Sequence, residues 1–68
     1  GIIDVFFEEG EEIVLLDYKT DVIESPQALA DRYRVQLDYY AEALTRMTGK
    51  RVKERILYSF YFGEEVRV

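Results

Sequence analysis

Apolar positions first run together at Ile2, Ile3, Val5, Phe6 and Phe7, then break into the polar cluster Glu8-Glu9-Gly10-Glu11-Glu12. A second apolar run, Ile13 to Leu16, follows and ends on Asp17-Tyr18-Lys19-Thr20-Asp21. Two short runs separated by a glycine amid acids predict a β-hairpin. With Gly10-Glu11 as a two-residue loop and Gly10 at the first central position of a type II′ turn, counting places Glu9 opposite Glu12, Phe6 opposite Leu15 and Asp4 opposite Asp17. Side chains alternate across a strand, so Ile3, Val5, Phe7, Val14, Leu16 and Tyr18 share one face. That face is wholly apolar or aromatic and is expected to be the core.

Thr20 to Glu24 reads as a loop. Ser25-Pro26 then starts a helix, with serine as N-cap and proline at the first helical position. The helical pattern runs to about Thr48, where Gly49 is a C′ stop. The pattern fits one helix, and equally a short turn around Gln27–Asp31 followed by a longer helix from about Tyr33. Tyr33, Gln36, Leu37, Tyr40, Ala41, Leu44 and Met47 follow i, i+3, i+4 spacing and predict the buried stripe, with Arg32, Asp38, Glu42, Thr45 and Arg46 outside. Lys53 to Phe62 predicts a final strand, parallel to the Asp17 strand because a helix crosses between them. Gly63 to Val68 reads as a terminal turn or edge strand. The fold class is α+β, a mixed sheet with one helical layer.

Composition narrows the chemistry. Sixty-eight residues make one small domain, with no cysteine, no histidine and a formal charge of −5. Disulfides, iron–sulfur clusters and thiolate zinc sites are excluded for this chain. Any metal must be held by oxygen ligands, which favours Mg²⁺ or Mn²⁺ over Zn²⁺. The acidic balance argues against a free-standing nucleic-acid binder that tracks phosphates, so DNA would have to be held by something else. No stretch approaches a membrane span and no signal-peptide pattern is present, which favours a cytoplasmic setting.

Three groups of residues then carry candidate chemistry. Asp4 and Asp17, directly opposed with Cβ atoms about 5 Å apart, would repel each other unless a divalent cation lay between them. Asp17 and Lys19 project from one face of the strand, about 7 Å apart along it. An ordinary ion pair at a solvated strand end would need no more than that. Gln36 and Tyr40 are the polar-tipped members of the helix stripe, one turn apart. A tyrosine that merely finds one buried partner would also account for them; the functional alternative is that both tips reach the carboxylate end of the sheet and fix its lysine or a phosphate.

Asp4, then Asp17-Tyr18-Lys19, then Gln36-x-x-x-Tyr40 on a following helix resembles the PD-(D/E)XK nuclease superfamily. Asp17-Tyr18-Lys19-Thr20-Asp21 and Tyr33-Arg34-x-Gln36-Leu37-x-x-Tyr40-Ala41 are most similar to its RecB/AddA branch, nuclease domains of bacterial ATP-dependent helicase–nucleases. The resemblance spans nearly the whole chain. It implies a restriction-endonuclease-like core and a metal-dependent deoxyribonuclease acting in double-strand-break repair and recombination. It further implies Asp4, Asp17 and the backbone carbonyl of Tyr18 as ligands of Mg²⁺ (or Mn²⁺), Lys19 as the catalytic lysine, and Gln36 and Tyr40 as site-supporting residues. The implied partners are DNA delivered by a linked helicase and a second nuclease/helicase subunit. The family's upstream helix, with a further acid and often a histidine ligand, has no counterpart here. Residues 1–68 are therefore expected to be part of such a domain, inactive when isolated and prone to self-association. An inactive nuclease-fold module with a structural or DNA-guiding role, and an unrelated small α+β interaction domain, are the competing readings.

Overall fold

A computed structural model describes residues 5–68. Its order is β1 (Val5–Glu9), β2 (Glu12–Lys19), α1 (Pro26–Thr48), β3 (Arg51–Ser59) and β4 (Glu64–Arg67). The strands form one four-stranded mixed sheet in the order β1-β2-β3-β4. β1 and β4 are antiparallel to their neighbours, while β2 and β3 run parallel. The fold is α+β, as the pattern predicts.

The hairpin has the expected register: Glu9 pairs with Glu12, Phe6 with Leu15 and Val5 with Leu16. Gly10 takes φ +63° and, among the described residues, no non-glycine residue has positive φ, the combination a type II′ turn requires. The pairing of Asp4 with Asp17 lies outside the described residues. Charge adds to the turn's placement, because the acidic hairpin meets the basic start of β3. Lys50 pairs with Glu8 at 3.3 Å, Lys53 with Glu9 at 2.7 Å, and Arg51 with Glu12. The Glu9 carboxylate, bonded to the Lys53 ammonium, pushes that amine above its ordinary range.

α1 is continuous. Ser25 accepts a hydrogen bond from the Ala28 amide at 3.1 Å, Pro26 fills the first turn, and Gly49 closes the helix at φ +73°. The left-handed conformation at Gly49 suits glycine and lets its N–H donate to the Thr45 carbonyl at 2.8 Å. The helix buries Leu29, Ala30, Leu37, Tyr40 and Leu44. These pack with Ile13, Leu15, Leu57 and Val66, and with half-buried Tyr33 and Val52. Full burial of each leucine contributes about 1.5–3 kcal/mol.

Three expectations need correction. The core lies on the Ile13, Leu15, Asp17 face of β2, not on the Val5, Phe7, Val14, Leu16, Tyr18 face, where Phe7 is 50% and Tyr18 44% exposed. Apolar content could not separate the two faces; α1 packs on the one where Leu57 and Ser59 of β3 are also buried. Met47 is exposed, because it groups with Tyr39, Ala43 and Arg46 on the outer side of the helix rather than with buried Leu44. The last long strand is Arg51–Ser59 and turns at Phe60–Gly63 into β4, so Phe60 and Phe62 are not strand residues. A bulge also interrupts β3, where Val52 pairs with Ile13 and Glu54 with Val14. The extra residue, Lys53, keeps both Val52 and Arg55 on the helix side: Val52 joins the core and Arg55 pairs with Asp38 of α1.

Candidate active site

The parallel strands β2 and β3 end side by side at Lys19 and Ser59, and the Phe60 amide donates to the Lys19 carbonyl at 3.0 Å. This is where chemistry collects. Asp17 is in register with Leu57, and Lys19 with Ser59, on the helix-covered side of the sheet. Both Asp17, at 1% exposure, and Ser59 are buried. Ser59 Oγ accepts the Phe62 amide at 3.0 Å, which pins the turn leaving the site.

The expected Asp17–Lys19 pairing is present. Lys19 Nζ lies 3.2 Å from Asp17 Oδ2, with side-chain exposures of 16% and 2%. The solvated-strand-end reading predicts two exposed partners, and these are not. A buried ion pair contributes little to stability, since removing two charges from water offsets most of their attraction. An apolar pair would fill the same space at less cost. What the arrangement supplies is a carboxylate and an ammonium held dry at the carboxyl end of a strand.

Lys19 has a second neighbour that the sequence pattern did not single out. Its ammonium sits 4.1 Å from the centroid of the Tyr33 ring, on α1. The Tyr33 hydroxyl donates to Asp21 Oδ2 at 2.7 Å, and Arg32 holds the same oxygen at 3.1 Å. Partial burial raises the Tyr33 phenol above its ordinary value, and the hydrogen bond to the Asp21 carboxylate adds to that shift; the nearby Lys19 and Arg32 charges oppose it. Tyr33 was legible as a stripe residue and as the first residue of the Tyr33–Ala41 pattern, but not as a neighbour of Lys19. The available signal was its place three residues before Gln36 on the same helix face, combined with Asp21 continuing the alternation from Asp17 and Lys19.

Gln36 and Tyr40 meet each other: Gln36 Nε2 donates to the Tyr40 hydroxyl at 2.7 Å. Tyr40 is buried in the core and Gln36 is half-buried. Among the described residues neither is hydrogen-bonded to Lys19, whose neighbours are Asp17 and Tyr33. Tyr18 faces away, its ring stacked on Phe60 with centroids 5.7 Å apart. Asp4 is outside the described residues, and among those described no group of three or more acidic side chains converges as a metal cage. Of the two aspartates expected to oppose each other, Asp17 is the one described, and its carboxylate is paired with Lys19.

Comparison with known proteins gives a consistent set of relatives. No family model matches the chain. Over its full length it is 52% identical to an ATP-dependent helicase/nuclease subunit of Clostridium botulinum (strain Alaska E43 / Type E3), and covers 6% of that protein. It is 53% identical over 70 residues to the protein of the same name from Clostridium novyi (strain NT), again covering 6% of it. The corresponding Clostridium beijerinckii protein is 49% identical over 70 residues, with the same 6% covered. The chain thus spans a small fraction of the length of the curated relatives it matches. No helix among the described residues is long and apolar enough to cross a membrane.

Proposed function

We propose that this chain is the nuclease core of an ATP-dependent helicase/nuclease, hydrolysing phosphodiester bonds of DNA in double-strand-break repair and recombination. The observation that carries the reading is the buried Asp17–Lys19 pair at the carboxyl end of β2. Whole-length identity near one half to helicase/nuclease subunits supports it. DNA is fed to the site by a linked helicase motor, which supplies the phosphate grip that a chain of charge −5 lacks. A second helicase/nuclease subunit is the proposed partner.

The donor set fits a hard divalent cation. Asp17 offers a desolvated carboxylate, and with neither histidine nor cysteine in the chain every candidate donor is oxygen. Asp17, with Asp4 and the Tyr18 carbonyl, would hold Mg²⁺ or Mn²⁺. Such an ion supplies charge neutralisation and a more acidic water for attack on phosphorus. The protein's own contribution is Lys19. Its ammonium sits beside Asp17, where negative charge develops on the phosphoryl oxygens as water adds and the 3′ or 5′ oxygen leaves. In that dry setting it stabilises the charge more than it would in water. Ser59 and Leu57 exclude water from the strand ends, while Gln36 and Tyr40 brace α1 above them. The isolated chain is proposed to be inactive and to self-associate, since the aromatic face carrying Phe7 and Tyr18 stands open.

The test is mutation in the full-length protein. Asp17→Ala and Lys19→Ala should each lower DNA cleavage by about 10³-fold or more, as expected for loss of a metal ligand or of a preorganised charge. ATP hydrolysis and unwinding should stay near wild type. Cleavage at the wild-type rate in either variant would overturn the assignment.

A further inference from the structure

Resting on that reading of Lys19, we propose that Tyr33 is a positioning residue for it: the Tyr33 ring carries the ammonium, and Asp21 with Arg32 locks the ring in place. A lysine side chain has four rotatable bonds and a compact charge that prefers water. Lys19 is the last residue of β2, and its long side chain runs beyond the backbone pairing that fixes its Cα. Two contacts define where its charge sits. One is Asp17 Oδ2 at 3.2 Å; the other is the Tyr33 ring, its centroid 4.1 Å away. That second distance is well inside the range of about 6 Å over which a ring face attracts a cation.

The two contacts differ in what can displace them. Asp17 is a carboxylate, and any cation it binds competes with Lys19 for it. The aromatic face binds lysine through its quadrupole and offers no lone pair to a hard metal, so its hold persists when the carboxylate is engaged elsewhere. The ring is itself anchored. The Tyr33 hydroxyl donates 2.7 Å to Asp21 Oδ2, and Arg32 closes on that oxygen at 3.1 Å. Asp21 stands in the loop that follows β2 and Tyr33 on α1, so the bond ties the helix to the exit of the strand that carries Lys19. The Tyr33 phenol, raised above its ordinary value, remains a neutral donor to Asp21 throughout the working range.

The experiment is trace acylation of lysines in the metal-free full-length protein, read by mass spectrometry, with Lys50 and Lys53 as internal references. Tyr33→Leu, which keeps bulk but removes the ring face, should raise Lys19 labelling several-fold relative to those two lysines. Tyr33→Phe, which keeps the ring and loses the bond that anchors it, should raise Lys19 labelling by a smaller factor, comparable to that of Asp21→Ala. Cleavage should follow the same order: Tyr33→Leu loses about ten-fold in kcat at unchanged KM for DNA, and phenylalanine restores most of it. Unchanged labelling of Lys50 and Lys53, with a wild-type limited-proteolysis pattern across these residues, reports that this part of the protein is folded. Should Tyr33→Leu disrupt folding, Asp21→Ala provides the second arm, with a smaller rise in Lys19 labelling. Unchanged Lys19 labelling in folded Tyr33→Leu or Asp21→Ala overturns the proposal. Wild-type cleavage by Lys19→Ala would instead overturn the catalytic reading of Lys19, while the labelling still decides whether Tyr33 holds it.

Discussion

The two faces of the same sheet share apolar side chains but differ in what covers them and in what they carry at their ends. Along β2, Ile13, Leu15 and Asp17 are each nearly inaccessible, whereas their alternating neighbours Val14 and Leu16 are half-buried and Tyr18 is exposed. The face that α1 covers carries the charged pair, and the face outside α1 carries the aromatic surface of Phe7, Tyr18, Tyr58 and Phe60. Apolar content does not separate the two faces, so burial of apolar area does not by itself decide which one α1 covers. Its placement shows that the sheet has two apolar faces, and that the helix selects the one whose end holds Asp17 and Lys19. A polar cluster kept on the more buried face costs stability, and such a cost is expected where a site must exclude water.

That comparison can be broken most directly at the ion pair. The double variant Asp17→Leu with Lys19→Met replaces two charges by apolar groups of similar size. It should leave stability unchanged or raise it by about 1–4 kcal/mol, while abolishing cleavage by the full-length protein. Denaturant titration beside a nuclease assay reads both quantities. Marked destabilisation would mean that the pair holds the fold, and the case for a functional cluster would weaken.

Truncations should separate the faces next. Leu37→Ala or Leu57→Ala opens a cavity under the helix and should cost about 2–5 kcal/mol. Phe7→Ala or Tyr18→Ala, on the open face, should cost less than half as much, because those side chains already meet water. Equal losses, measured by urea unfolding, would show that something covers the open face. Smaller again is the cap that fixes the helix on its chosen side: Ser25→Ala should cost about 1 kcal/mol by freeing the Ala28 amide.

Most of the architecture was legible because it is local. Gly10 amid acids set the hairpin and its register, Ser25-Pro26 and Gly49 bounded the helix, and a helix between two strands set the parallel pairing. The choice of face was not legible, since Val14, Leu16 and Tyr18 are at least as apolar as Ile13 and Leu15, and alternation cannot say which set is covered. Nor was the bulge at Lys53, which shifts the parity of β3 with no glycine or proline to mark it. Asp17 and Lys19 could be placed together because they share one strand. Tyr33 could not be placed over Lys19, because that contact joins helix to strand across the Thr20–Ser25 loop and depends on how the helix is rotated.

The smallest expected effect concerns pH, and it sharpens the same contrast at Tyr33. Its phenol is raised above the ordinary value by burial and by donation to Asp21. For a group whose folded value exceeds its unfolded one, the stabilisation is fully present below the unfolded value, about 10 for tyrosine. It is lost as pH rises through the folded value, because the phenolate can no longer donate and faces the Asp21 carboxylate as a like charge. The chain should therefore lose stability above about pH 10. Lys53, raised by Glu9, contributes in the same direction and window. Tyr33→Phe removes the phenol and should flatten part of the alkaline limb. Comparing thermal unfolding of wild type and this variant between neutral pH and about pH 11 reads the difference. An alkaline limb identical in wild type and Tyr33→Phe would mean that the Tyr33–Asp21 bond does not stabilise the fold.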